Sequence, residues 1–537
     1  MRLSKLLTVS LALFSGFRSA VCGSNEDGLT IETKTGIYTG LVDPEFPNVR
    51  QFRGIPFAKP PIGKRRWLSP EPVEASSQRF NAHTFPSSCS QYLSKSLNLW
   101  NSNITNFYIS LNGQDRTMGA MAQTSSEDCL YLAIWTPLNA TLESNLPVAL
   151  FMPGGSFITG GVDVPYQQPT PWIQRSQRHI FVSANYRINV AGFPWAAGLD
   201  VQNIGILDQR VALEWVHANI ASFGGDRSRI TVWGQSAGGV AVDMAAHAFY
   251  DNPLAAALIL QSGTAAVKIV RSDDAHANFT FVARHLGCDF PSDPVAELDC
   301  MRLVPMSLIQ DFMGGYCDNW LNSPVLPLFK VLPDERLVFS NYTDRAVRGL
   351  APQIPVLVST TANEQSSLTA YPVNHLDAGP DQARVDRETV AMFACMVSNT
   401  TAARAYNSQV SPVPTYRYQY AGNFSSVTPY GWMGAYHASD IPMVFGTYAT
   451  LGEREKVTEF QREVAETMQD YLLAFLEDPW GRGEDGGLRK FGWLPWGGGG
   501  GRNMMRFGGR DGVVVRNVSA GEVDDACVLG TKYDSSP

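Results

Sequence analysis

Charge is scarce in this chain, and neither sign dominates. Asp, Glu, Lys and Arg make up 17% of its 537 residues, 42 basic against 50 acidic, for a net charge of −8. No basic stripe gathers along any segment, which argues against a nucleic-acid partner, because neutralising phosphates takes clustered Lys and Arg. No Pro/Ser linker, charge block or internal repeat divides the chain. Beyond residue 23 no apolar run reaches the roughly 20 residues of a membrane helix, so no transmembrane anchor is expected. Residues 497–501 are all glycine, yet no Gly-Lys-Ser/Thr follows. That excludes a phosphate-binding loop, and residues 484–511 read as a surface loop.

What is present is a large apolar reserve. Hydrophobic residues reach 44%, and 47 glycines and 33 prolines fit long ordered loops. The start, with Arg2 and Lys5 ahead of an apolar stretch over 6–14, predicts a secretory signal peptide over residues 1–23, cleaved between Ala20 and Gly23. Residues 24–537 then form one catalytic domain, secreted to the extracellular space. Of eight cysteines, Cys22 leaves with the signal, so the odd remainder predicts one free thiol beside up to three bridges. Sequons at Asn103, Asn139, Asn278, Asn341, Asn399, Asn423 and Asn517 predict a glycoprotein.

Apolar runs at 146–152, 180–186, 230–233, 256–260 and 355–359 read as buried strands. Residues 416–420 alternate and suit a sheet nearer its edge. Residues 203–221, 237–248 and 453–475 carry helical spacing. Continuous apolar strands alternating with helices predict an α/β fold, a large and mostly parallel central sheet covered on both faces.

Between the strand at 230–233 and the helix at 237–248 lies Gly234-Gln235-Ser236-Ala237-Gly238. A serine on so tight a strand-to-helix turn is pushed out at the carboxyl end of the sheet, and the flanking glycines let the backbones approach. A serine hydroxyl needs a base, and the base a carboxylate, to become a nucleophile. His247, His276, His285, His375 and His437 follow Ser236. The first three fall in helical segments, whereas His437 lies in a loop of small and polar residues. Glu364, just past the strand ending at Ser359, stands where an acid can lean over the sheet; Asp440 and Asp318 compete with it. Pro153-Gly154-Gly155-Ser156-Phe157 follows another strand, and amides turned inward there, with that of Ala237, can hold an oxyanion.

These stretches together resemble the type-B carboxylesterases, the cholinesterase-like branch of the α/β-hydrolases that includes fungal secreted esterases and lipases. Residues 223–239 match the nucleophile signature, Glu127-Asp128-Cys129-Leu130-Tyr131-Leu132 a second signature, Arg53-Gly54-Ile55-Pro56-Phe57-Ala58 an N-terminal hallmark, and 434–446 the histidine block. The resemblance implies the α/β-hydrolase fold with long loop insertions, Ser236 as nucleophile, Glu364 as acid and His437 as base. It places oxyanion donors at Gly155, Ser156 and Ala237, with Gly154 shaping the turn, and bridges Cys89 to Cys129 and Cys288 to Cys300. Cys317, Cys395 and Cys527 stay unassigned. Pro153, Ser156 and Gln365 depart from the commoner family residues and bear on pocket width and local geometry.

The implied reaction is acyl transfer on a small-molecule or lipid ester, without metal or organic cofactor. Phe157 and Trp195 are candidate pocket walls. Trp100, Phe107, Tyr108, Met118 and Met121, inside the Cys89–Cys129 loop, suit a gorge mouth or a lid. Carboxylesterase is the first reading, triacylglycerol lipase or lactonase the alternative, and a non-catalytic secreted recognition module the rival from another class. Oligomeric state has no signature here.

Overall fold

The computed structural model describes residues 28–110, 118–268, 273, 275–319, 328–407, 413–483 and 485–537. The expected signal peptide, with Cys22, lies outside them. The central sheet has eleven strands. In chain order they are β1 (Leu41–Val42), β2 (Val49–Pro56), β3 (Tyr131–Pro137), β4 (Leu146–Met152), β5 (Ile180–Ala184), β6 (Gly225–Gln235), β7 (Ala257–Gln261), β8 (Val356–Thr361), β9 (Thr415–Tyr420), β10 (Asn503–Phe507) and β11 (Val515–Ser519). Their spatial order is β11-β10-β9-β8-β7-β6-β4-β5-β3-β2-β1. From β5 across to β10 every pairing is parallel, and antiparallel strands finish both ends. This is the mixed, mostly parallel sheet of an α/β-hydrolase.

Parallel strands buried on both faces need apolar residues throughout, not in alternation. All five residues of β5 and of β7 are buried, as are Val148 to Met152 of β4. On one face Phe151, Phe181, Trp233 and Phe445 stack edge-to-face, with ring centroids 4.9–6.0 Å apart. Each such side chain contributes about 1.5–3 kcal/mol by leaving water. Helices α1 (Ile204–Asn219), α2 (Ala237–Ala248), α3 (Gln382–Thr389), α4 (Cys395–Asn407), α5 (Ile441–Phe445), α6 (Glu459–Glu477) and α7 (Gly521–Val528) are those that bear on the site or on its support.

Three elements differ from expectation. Residues 416–420 lie not near the edge but two strands in, and all of β9 is buried. The strands outside it, β10 and β11, come from the C-terminal stretch, so the expected surface loop over 484–511 is wrong for 503–507. There Met504, Met505 and Phe507 are buried, a short strand directly after a glycine-rich stretch. The late helix begins at Glu459, not Glu453, because the Thr458 hydroxyl caps it by accepting from Gln461 N at 3.1 Å.

Three disulfides are present, Cys89–Cys129, Cys288–Cys300 and Cys395–Cys527. The last joins α4 to α7, and Cys317 is free. Two buried ion pairs brace the fold: Asp208 accepts from Arg187 Nε and Nη2 at 2.9 and 2.8 Å, and Arg417 on β9 meets Asp524 on α7 at 2.6 Å.

Candidate active site

Strand β6 ends at Gln235, and α2 begins at Ala237. Ser236 between them has φ 54° and ψ −126°, a strained conformation for a residue with a side chain. Only glycine fits its flanks. A Cβ on Gly234 would sit 2.3 Å from the Gly238 carbonyl, and one on Gly238 would sit 2.1 Å from Met152 O. The turn is fixed by Ser236 N donating to Gln261 O at 2.7 Å, and by Val240 N donating to Ser236 O at 3.0 Å.

Glu364 opens a short 3₁₀ turn, Glu364–Ser367, after β8. His437 lies on the loop before α5. The two loops are zipped together: Asn363 N donates to Ala435 O at 2.9 Å, Asn363 Nδ2 to Met433 O at 2.9 Å, and Ser366 Oγ to Met433 O at 2.7 Å. That zipper brings His437 Nδ1 within 2.6 Å of Glu364 Oε2. The other carboxylate oxygen accepts from Ser262 Oγ at 2.6 Å and Thr361 N at 2.8 Å. Glu364 is wholly buried and acceptor-only when ionised, so Nδ1 carries the proton and Nε2 presents its lone pair. Gln235 Nε2 lies 3.3 Å from that Nε2. Among the described residues no hydrogen bond engages Ser236 Oγ.

Of the competing carboxylates, Asp318 is bound elsewhere, by Tyr92 OH at 2.8 Å, Lys95 N at 3.0 Å and the Ser94 hydroxyl. Asp440 is nearer, three residues after His437, but its Oδ2 accepts from Gln261 Nε2 at 2.9 Å and Tyr418 OH at 3.1 Å. Burial, and next the charge of Glu364, push the Asp440 carboxyl up to about 6. Of the other histidines, His276 Nδ1 faces Trp195 O at 3.0 Å and His285 Nδ1 faces Phe281 O at 2.8 Å.

The glycine turn after β4 abuts the serine, for a Cβ on Gly154 would lie 3.1 Å from Ser236 Cβ. Gly155, Ser156 and Phe157 run through φ 118°, 57° and 63°, three successive positive values that coil the chain tightly beside the serine. Ile158 N and Thr159 N donate to Gly155 O at 2.9 and 3.0 Å and lock the turn. Among the described residues, no acceptor engages the amides of Gly155, Ser156 or Ala237. Three donors without partners beside a serine, a histidine and a buried glutamate can stabilise a tetrahedral oxyanion.

The aromatic candidates divide. Phe157 packs edge-on against Phe193 at 5.3 Å, next to the glycine turn. Trp195 stacks on His276, and its indole N–H donates to Lys330 O at 3.3 Å. Trp100 and Phe107 pack on Tyr436, the neighbour of His437, and Trp100 Nε1 donates to Ser367 O at 3.2 Å. The Cys89–Cys129 loop is thereby anchored beside the site. Sequence reasoning did not find Phe393, whose ring centroid is 5.0 Å from that of His437. It rides on a π-helical turn, Val390–Ala394, between α3 and α4. Such turns recur at functional sites, and nothing in local composition signals one. Gln235 stood inside the motif, but its side-chain direction was invisible there. Among the described residues no His/Cys/Asp/Glu cluster could hold a metal ion, and no helix is long and apolar enough to cross a membrane.

A family model described as the carboxylesterase family matches residues 27–391 and 382–484. The chain is 39% identical over 477 residues to a chlorogenic acid esterase of Aspergillus niger, covering 88% of this chain and 87% of that one. It is 36% identical over 521 residues to secreted lipase 5 of Gibberella zeae, covering 92% of each. Among solved structures, a thermophilic pNB esterase superposes with a TM-score of 0.71 at 22% identity, over 93% of this chain and 99% of that one.

Proposed function

Since the chain belongs to the carboxylesterase family and is a serine-type carboxylic-ester hydrolase, we propose that Ser236 is its nucleophile, His437 its base and Glu364 the acid that orients the base. The observation that carries this reading is the 2.6 Å contact between His437 Nδ1 and Glu364 Oε2, on a loop pair packed over the Ser236 turn. His437 Nε2 takes the hydroxyl proton as Ser236 Oγ attacks the ester carbonyl. Glu364 fixes the tautomer and stabilises the imidazolium. The amides of Gly155, Ser156 and Ala237 receive the oxyanion, with Gly154 letting the turn approach. The imidazolium then protonates the leaving alcohol. Water repeats the sequence on the acyl-enzyme, with His437 as its base, and frees the acid.

The substrate is an ester with an apolar or aromatic acyl group, taken from solution. Phe393 beside His437 and Phe157 beside the glycine turn offer apolar walls, and the relative from A. niger is named for an aromatic-acid ester. A lipase reading draws on the relative named as a secreted lipase. Residues 24–537 act as one catalytic unit, secreted after loss of 1–23. Three disulfides suit an oxidising compartment. Asn139, Asn341, Asn399 and Asn517 are exposed and open to glycans, and Asn423 is exposed with its amide nitrogen donating to Gly431 O at 3.1 Å. Asn103 and Asn278 are half-buried, with amide nitrogens donating to Tyr430 OH and Leu328 O.

The test compares chlorogenic acid, p-nitrophenyl esters from acetate to palmitate, and an emulsified triglyceride. Preference for chlorogenic acid or short soluble esters supports the reading. A rate that rises only at the emulsion interface replaces it with the lipase.

A further inference from the structure

Gln235 is the last residue of β6 and is buried, so water does not compete for its side chain. Its amide nitrogen faces His437 Nε2 at 3.3 Å. Its amide oxygen lies against Gly154, where an added Cβ would come within 2.7 Å of it. The orientation follows from the tautomer. His437 Nδ1 donates to Glu364, so in the neutral ring Nε2 can only accept, and an amide oxygen turned towards it would set two acceptors face to face.

We propose that Gln235 is a positioning residue for the base, holding the His437 Nε2 lone pair through its side-chain N–H and thereby favouring the neutral, proton-accepting imidazole. The proposal rests on the triad assigned above.

The groups around the imidazole make this role distinct. Glu364 on the turn after β8 is bonded to Nδ1, and Asp440 at the start of α5 adds a second acid whose charge is felt at His437. Tyr418 on β9 and Tyr533 near the C-terminus, hydrogen-bonded to Asp440 and to Ala362 O, are phenols held neutral by burial. Phe393 from the π-helical turn supplies an apolar face. Among the described residues, Gln235 alone brings a hydrogen-bond donor to Nε2, and a donor there stabilises the neutral ring against protonation. When substrate arrives, the Ser236 hydroxyl must take the same lone pair. Gln235 thus keeps the nitrogen aligned and unprotonated until the hydroxyl replaces its amide.

The experiment is the pH dependence of kcat/KM on p-nitrophenyl butyrate for wild type, Gln235→Glu and Gln235→Met. Folded sites are counted by titration with diethyl p-nitrophenyl phosphate, and Ser236→Ala is the control. Gln235→Glu replaces the donor with an acceptor of negative charge, so the acid limb of the profile moves up by about one pH unit or more. Gln235→Met removes the donor without adding charge, and its limb moves up by less. Acid limbs of both variants superimposed on wild type, whatever their plateau rates, overturn the proposal while leaving the triad standing. Full activity in Ser236→Ala brings down the triad assignment itself, and the proposal with it.

Discussion

Asp440 accepts a hydrogen bond from Gln261 through one carboxylate oxygen, at 2.9 Å, while its other oxygen is buried without a partner among the described residues. A carboxylate so placed is half solvated by protein and half abandoned. Its carboxyl is pushed up to about 6 from 3.8, by burial first and by Glu364 second. The native state therefore holds the proton more tightly than the unfolded chain does. Stability from this group is fully present below about pH 4 and is lost as pH rises through about 6. Asp440→Asn keeps an oxygen for Gln261 and Tyr418 and never ionises. Above about pH 7 it should be more stable than wild type by up to about 3 kcal/mol, with the gap closing near pH 4. Urea unfolding at both pH values measures this, and a gap independent of pH refutes it.

Under the proposed triad, Ser236→Ala lowers kcat by about 10⁴-fold or more, and Glu364→Gln by about 10⁴-fold. Glu364→Gln puts an amide opposite Nδ1 that can settle the ring in the wrong tautomer. The double variant should be little worse than Ser236→Ala alone, because residues acting as one device do not add. Single-turnover rates on p-nitrophenyl butyrate check it. Multiplying penalties would mean that the two residues act separately.

Much of this site is legible in the sequence because it sits where backbone geometry and residue type coincide. Gly234 and Gly238 flank Ser236 because a Cβ at either has no room. Leu146–Met152 reads as a strand because both its faces are covered. Other parts are long-range facts that no local pattern encodes. Glu364 and not Asp440 meets His437 Nδ1, on a turn whose Asn363 is zipped to Ala435. Phe393 arrives on a π-helical turn, and the Gln235 side chain could have pointed either way. Asn503–Phe507 follows a run of glycines and carries a charged residue, although Met504 to Phe507 are all buried in a strand.

The Cys395–Cys527 bridge closes 132 residues, against 12 for Cys288–Cys300. Restricting a longer loop removes more freedom from the unfolded chain. Replacing Cys395 and Cys527 by alanine should therefore cost about 2–5 kcal/mol, and about 2 kcal/mol more than replacing Cys288 and Cys300. Cys395 begins α4 two residues beyond Phe393, so its loss should also lower kcat/KM, whereas the shorter bridge should not. Urea unfolding and steady-state rates on the two double variants settle both points.

Backbone and side chain can be separated at the glycine turn. If the amides of Gly155 and Ser156 hold the oxyanion, the Ser156 hydroxyl is dispensable. Ser156 sits at φ 57°, where a side chain is strained and glycine is not. Ser156→Gly should thus keep kcat within about threefold and stability within about 1 kcal/mol, relief of strain offsetting the added freedom of the unfolded chain. Gly155 has no such latitude. Its φ is 118°, and a Cβ would lie 2.2 Å from Thr159 O, so Gly155→Ala must swing the turn and its amides away. The expected loss is about 10²–10³-fold in kcat with KM little changed, the mark of donors that act on the transition state and not on bound ester. A fall in KM-type binding alone would place Gly155 in the substrate pocket instead. Equal losses in both variants would mean that the serine hydroxyl, not the backbone, carries the charge.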